Sequence, residues 1–133
     1  MKLRSLLSIP FLLLTISVTA QTITGKTLKP DSTNYENVYV KSLYSDSLSS
    51  TFAIWIKKQV KPHKHVNHSE VVTVLEGKAE MTVDGETRII KKGDVIILPK
   101  GTVHSVVTKS RKPLLVLSIQ APKFVGKDRV WVN

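Results

Sequence analysis

The sequence predicts an all-β protein with one antiparallel domain. About eight short runs rich in β-branched and aromatic residues follow one another, with turn residues at close spacing between them. Beyond residue 20, no long segment has apolar residues at the spacing of an amphipathic helix. The 133 residues suffice for one domain with one core. Short antiparallel strands of this kind build a barrel or a two-sheet sandwich, and periodicity alone does not separate the two.

Residues 1–20 have the layout of a secretory signal peptide. Two basic residues precede an apolar run from Leu6 to Val18, and small or modest residues lead up to Ala20. The run is about 13 residues, shorter than the roughly 20 that span a bilayer. We therefore expect cleavage after Ala20, a periplasmic or secreted location, and no membrane span once the signal is removed.

Three further segments follow the signal. Residues 21–37 are polar and mixed and predict an N-terminal arm, residues 38–122 form the β-domain, and residues 123–133 form a C-terminal tail. Asp84-Gly85 is the strongest turn signal, because this pair tolerates positive φ at both central positions of a hairpin. The runs that predict strands are, in order, NVYVKSLY, TFAIWIKK, EVVTVLEG, AEMTVDGETRII around the turn, VIILP, VHSVVT and PLLVLSIQ, with RVWV in the tail packing on a sheet edge.

Side-chain alternation on TFAIWIKK leaves one question open. One set of alternating side chains faces the interior of the domain, and Trp55 belongs either to the core or to a dimer surface. The sequence does not decide between these positions.

Charge and composition exclude several functions. Without Lys2 and Arg4, 18 of the 20 basic residues remain against 10 acidic ones, a net charge of +8. The basic residues form small groups at the ends of apolar runs, without an aromatic-interleaved patch or a recognition helix, so nucleic acid is not an expected partner. The chain has no cysteine, which excludes disulfides, thiolate catalysis and zinc–cysteine sites.

Four residues in two turn-bounded contexts form a candidate metal site. His63 and His65 are two positions apart, so on a strand both side chains leave the same face. Glu70 follows shortly, and His104 lies on another predicted strand. Three neutral imidazoles and one carboxylate suit a divalent transition ion. If that ion prefers six ligands, two neighbouring positions stay open for a substrate.

This pattern resembles the two short motifs of the cupin family of small β-barrel proteins. The first motif is matched at His63, His65, Glu70 and Gly77, with Lys57 in place of its leading glycine. The second motif is matched at Gly93, Pro99, Gly101 and His104, with Thr108 in place of its final asparagine. The resemblance covers about residues 50–120, and both departures lie away from the histidines and the glutamate.

The resemblance carries expectations for fold, cofactor and assembly. It implies a single-domain, jelly-roll type cupin β-barrel that binds one divalent transition metal, such as Mn, Fe, Ni or Zn. It also implies a homodimer, in which the arm at residues 21–37 could exchange between subunits. The metal ligands that it implies are His63, His65, Glu70 and His104.

His68 is the candidate catalytic residue, although its role stays open. It lies between the histidine pair and Glu70, where it could support a metal ligand, contact the substrate or act as a general base. The alternative is an ordinary solvated loop histidine.

Two functions remain for such a chain. The first is a metal-dependent enzyme acting on a small, anionic organic substrate, of the dioxygenase, decarboxylase, isomerase or lyase type. The second is a small-molecule or sugar binding module in which a metal holds the fold or bridges to the ligand without chemistry. Family resemblance does not choose between them, because one fold supports many activities.

Overall fold

Ten β-strands make up the regular structure of residues 20–133, the part of the chain that this computed structural model describes. The predicted signal peptide lies outside the described residues, except for Ala20. Within the described part, no helix is both long and apolar enough to cross a membrane. The strands are β1 Val38–Ser45, β2 Ser50–Ile56, β3 Gln59–His65, β4 Ser69–Glu76, β5 Lys78–Val83, β6 Glu86–Lys91, β7 Val95–Leu98, β8 His104–Thr108, β9 Leu114–Ala121 and β10 Arg129–Trp131.

The strands form two five-stranded sheets with antiparallel pairing throughout. The first sheet has the order β1-β2-β9-β4-β7, and the second has the order β10-β3-β8-β5-β6. Strands that follow each other in the chain repeatedly change sheet, as in a jelly roll, and the two inner faces enclose one core. The prediction of an all-β, antiparallel, single-domain cupin barrel is confirmed.

The barrel interior is filled by apolar side chains from both sheets. Ile54 and Ile56 are the side chains of β2 that face inward, so the open question about this strand is settled. Trp55 faces the other way. The buried members of the inner cluster are Ile56, Val72, Val74, Ala79, Met81, Ile90, Leu98, Val106, Leu114 and Val116.

The N-terminal arm covers part of the outer face of the first sheet. Leu28 and Tyr35 of the arm pack against a small apolar cluster that contains Trp55. Lys57, which replaces the leading glycine of the first cupin motif, donates hydrogen bonds to the carbonyl oxygens of Thr33 and Tyr35. The arm therefore packs on its own chain here, and the homodimer stays a prediction.

Strand β3 was not among the predicted strand runs. Its sequence QVKPHKH is polar and contains Pro62, so it lacks the alternation of a half-buried strand. It forms because β8 pairs with it on one side and β10 on the other. The second pairing confirms that the tail packs on a sheet edge, within the same chain.

Two turns have the backbone that their residues predict. Asp84 and Gly85 have φ of 46° and 89°, as the hairpin between β5 and β6 requires. Gly77, between β4 and β5, has φ of 94°. A Cβ atom on Gly77 would lie 2.9 Å from Ser110 Oγ and 3.1 Å from Leu114 Cα. This position therefore needs glycine for both its backbone angle and its space.

Gly77→Ala should destabilise the protein more than Gly93→Ala. Both glycines have positive φ, but nothing lies within 4 Å of a Cβ at Gly93. We expect losses in the free energy of unfolding of about 1 kcal/mol for Gly93→Ala and about 2–3 kcal/mol for Gly77→Ala. Urea unfolding at neutral pH measures both, and equal losses would show that the contact with Leu114 is easily relieved.

Candidate metal centre

The strand register brings three histidines together on the inner face of the second sheet. His63 on β3 lies directly opposite His104 on β8, and opposed residues share a face. The ring centroids of these two are 4.1 Å apart, and those of His65 lie 5.2 and 5.4 Å from them. All three are buried, and candidate ligand atoms of the three lie within 4.8 Å of one another.

Backbone carbonyls define the tautomer of two of these histidines. His63 Nδ1 lies 2.8 Å from the carbonyl oxygen of Lys61, and His104 Nδ1 lies 3.1 Å from that of Thr102. A carbonyl oxygen can only accept a hydrogen bond, so each Nδ1 carries the hydrogen. In the neutral imidazole, Nε2 is then left with a lone pair, which is the form that binds a metal.

Glu70 faces the histidines from β4 of the first sheet. Its Oε2 lies 3.4 Å from Nε2 of His65 and 3.4 Å from Nε2 of His104. Its Oε1 accepts hydrogen bonds from Ser118 Oγ and, at 3.3 Å, from Gln120 Nε2. Both donors lie on β9, where Gln120 pairs with Glu70. One carboxylate oxygen is thus held by the protein while the other faces the imidazoles. Neither Ser118 nor Gln120 was predicted to be a site residue from the sequence.

The ionisation of these groups matches that of metal ligands. Burial, and then the neighbouring His104, lower the pKa of His63 from 6.5 to about 4, so the imidazole is neutral at pH 7. Burial opposes ionisation of Glu70, but the polar contacts of its carboxylate, the hydrogen bond from Ser118 among them, hold its pKa well below 4.5. At neutral pH, the neutral imidazole of His63 and the carboxylate of Glu70 therefore share one buried site.

This donor set fits a divalent transition ion. The lone pair of His104 Nε2 faces Glu70 Oε2, and His65 Nε2 is buried without a hydrogen-bond partner. Electron-rich atoms that face one another without a hydrogen between them repel, and a cation among them removes the repulsion. Three nitrogen atoms and one oxygen suit the borderline ions named above.

His68 is buried beside the cluster. Its ring stacks on that of His65, with centroids 4.2 Å apart, and Phe124 packs edge-on against it at 5.7 Å. His68 is 2% exposed, so the alternative of a solvated loop histidine is wrong. Burial lowers its pKa, and the nearby His65 adds to this effect. His68 is not part of the wall of the cavity described below. The geometry therefore favours a role for His68 in holding the ring of His65 over a role as a general base.

Asp128 is a site residue that the sequence analysis missed. Its Oδ1 accepts hydrogen bonds from the backbone N–H groups of Val66, at 3.1 Å, and Asn67, at 2.6 Å, and its Oδ2 contacts His68 Nδ1. The side chain is almost completely buried. The only signal in the sequence was an acidic residue just before the strand-like RVWV run.

His65, His68 and Asp128 also lie close enough to suggest a second cation site. However, Asp128 Oδ1 is held by two backbone N–H groups, and its Oδ2 is in direct contact with His68 Nδ1. The group therefore acts as a buried contact that ties the tail to the loop after β3.

A cavity of about 370 Å³ lies beside the metal centre inside the barrel. His63, Glu70 and His104 form part of its wall, and most of the remaining wall is apolar. Lys61, Arg129 and Trp131 are exposed residues of the wall, and we call these three the rim. None of the rim residues was predicted to be functional from the sequence.

Residues 51–120 match the family described as "Cupin domain". The chain is also 38% identical to an uncharacterized protein of Aquifex aeolicus (strain VF5) over 74% of this chain and 80% of that protein. It is 32% identical to the pectin degradation protein KdgF of Dickeya dadantii (strain 3937) over 55% of this chain and 67% of that protein.

A solved structure agrees with the fold. The structure of KdgF from Halomonas sp. superimposes with a TM-score of 0.69 at 19% identity, and it covers 80% of this chain and 97% of that one. At this identity the likeness is evidence for the fold alone.

The metal-free protein should lose stability as the pH falls below about 6.5. The unfolded chain binds a proton at His63 near pH 6.5, whereas the folded protein does so only near pH 4, so acid favours the unfolded state between these values. We expect a contribution on the order of 2 kcal/mol from His63. Urea unfolding across this pH range should give a shallower decline for His63→Gln, and identical slopes would contradict the assignment.

Asp128→Ala should destabilise the protein by about 3 kcal/mol, because it leaves two buried N–H groups and His68 without their partner. Asp46→Ala is the matched control, since Asp46 Oδ1 also accepts two backbone N–H groups, but in a turn that is open to solvent. Chemical denaturation should show a much smaller loss for the control. Comparable losses would mean that the contact with His68 adds nothing.

Proposed function

Because the chain belongs to the cupin family, we propose that it is a metal-dependent enzyme that acts on a small, anionic organic substrate. The observation that carries the proposal is the convergence of three buried imidazoles and one carboxylate beside a cavity large enough for a small molecule. The ligands in this proposal are His63, His65, Glu70 and His104, and the ion is Mn, Fe, Ni or Zn.

A divalent ion held there would act as a Lewis acid on an oxygen atom of the substrate. The protein's own groups prepare the site for this. The carbonyl oxygens of Lys61 and Thr102 fix two imidazoles in the metal-binding tautomer, and Ser118 and Gln120 orient Glu70. Most of the cavity wall around them is apolar.

In this proposal His68 and Asp128 are positioning residues rather than catalytic ones. His68 stacks on His65, and Asp128 holds both His68 and the loop that follows His65. Fixing the ring plane of a metal-binding imidazole in this way raises the affinity of the site for the metal.

The reaction belongs to the dioxygenase, decarboxylase, isomerase or lyase classes. The likeness to a pectin degradation protein supports turnover of a small molecule.

A binding module without chemistry is the second candidate, and one observation favours it. Apart from the proposed ligands, Lys61 and Arg129 are the only titratable side chains in the cavity wall among the described residues. Export of the chain and its assembly into a homodimer remain predictions, whichever of the two functions is correct.

The ligand assignment predicts which variants lose the metal. Protein purified from its own compartment should hold about one divalent ion per chain, whereas His104→Gln and Glu70→Gln should hold little. His68→Gln is the matched histidine control and should keep the ion with about 10–100-fold weaker affinity. Glu76→Gln, which changes a carboxylate in a surface ion pair with Lys112, should match the wild type. Elemental analysis and chelator competition measure all four.

Turnover separates the two candidate functions. Metal-loaded protein should consume oxygen, or decarboxylate, isomerise or cleave members of a panel of small carbonyl acids, and His104→Gln should not. Full metal in His104→Gln, or turnover that this substitution leaves unchanged, would refute the metal-centred enzyme. Binding of panel members without product after long incubation would establish the binding module instead.

A further inference from the structure

We propose that the C-terminal strand β10 makes the cavity specific for an organic anion with an apolar body, with Arg129 binding the anionic group and Trp131 flanking the apolar part. This inference rests on the proposed function for the chemistry at the metal, and it adds the class of molecule and the residues that select it. Three independent features of the described residues support it.

The first feature is the wall of the cavity. Its uncharged polar side chains are Asn37, Gln59 and Ser105, and both ends of the Asn37 amide are already hydrogen-bonded to the backbone of Gln59 and Lys58. A sugar in this space would press most of its hydroxyl groups against apolar side chains, at a cost for each hydroxyl group that finds no partner. The apolar wall residues come from both sheets and include Ile54, Val72, Met81, Ile90, Leu114 and Val116.

The second feature is the register of β10. Arg129 lies opposite His65, and Trp131 lies opposite His63, so both share the face of the metal ligands, whereas Val130 lies opposite Lys64. The Trp131 ring is 5.4 Å from the ring of His63. A strand this short has no large core of its own to fill, yet both of its inward positions carry large side chains at the cavity.

The third feature is charge. Among the described residues, neither Arg129 nor Lys61 has an ion-pair or hydrogen-bond partner for its side-chain cation, although Arg129 does lie 5.5 Å from the Trp131 ring centroid. Among the described residues, Glu70 is the only acid in the cavity wall, and its Oε1 is held by Ser118 and Gln120. Two free cations on the rim attract an anion, and a guanidinium can hold a carboxylate with two hydrogen bonds.

Three probes separate the parts of this inference. Hydrocinnamate has an apolar body and a carboxylate, hydrocinnamyl alcohol keeps the body without the charge, and galacturonate keeps the charge on a polar body. Titration calorimetry of the metal-loaded wild type should show that hydrocinnamate binds at least about tenfold more tightly than either of the others.

Two arginine substitutions then test the residue assignment. Arg129→Gln should weaken hydrocinnamate binding by about tenfold and leave the alcohol unaffected. Arg111→Gln removes the same charge from an exposed loop outside the cavity wall and should change neither. Trp131→Ala should weaken the acid and the alcohol alike, with recovery in Trp131→Phe, and thermal unfolding of each variant verifies that it is folded.

Several outcomes would overturn the inference. Tighter binding of galacturonate than of hydrocinnamate, no binding of any probe, or equal effects of Arg129→Gln and Arg111→Gln would each do so. Metal-replete protein that prefers galacturonate would refute this inference while the proposed function stands. Protein that holds no metal ion when purified from its own compartment, yet binds hydrocinnamate through Arg129, would support this inference and refute the proposed function.

Discussion

The antiparallel register between β3 and β8 is the constraint on which the rest of the site depends. It sets His63 directly opposite His104, and the two-residue period of the strand then turns His65 to the same inner face. A slip of one residue would send both β3 histidines to the outer face, away from Glu70. The carbonyl contacts that fix the tautomers belong to the same two strand regions, at Lys61 and Thr102, so register and protonation form are set together.

The N-terminal arm and the C-terminal tail of the described chain both pack on this barrel, and neither carries one of the proposed ligands. The arm covers Trp55 on the outer face, where a large aromatic side chain would otherwise be exposed. The tail places Asp128 under the loop after β3 and adds β10 to the edge of the second sheet. The cavity lies between the two inner faces, and members of the apolar core form much of its wall.

The features that depend on residues close together in the chain could be predicted from the sequence. The alternating runs, the Asp84-Gly85 hairpin and the cupin motifs are local patterns, and the fold follows from them. Strand β3 was missed because its pairing partners, rather than its own polar residues, make it a strand. The contact of His68 with Asp128 joins positions 60 residues apart, and no spacing rule predicts such a pair. The rim residues were not predicted for the same reason, because the position of a tail residue depends on the register of the tail on β3.

The position of β10 also bears on how such proteins diversify. The four proposed ligands lie on β3, β8 and the start of β4, whereas Arg129 and Trp131 lie on a three-residue strand within the last few positions of this sequence. In the inference above, substitutions on β10 change the molecule that is selected, while the four proposed ligands stay on other strands. Choice of substrate and coordination chemistry then belong to different strands, so related proteins can differ in the first and share the second.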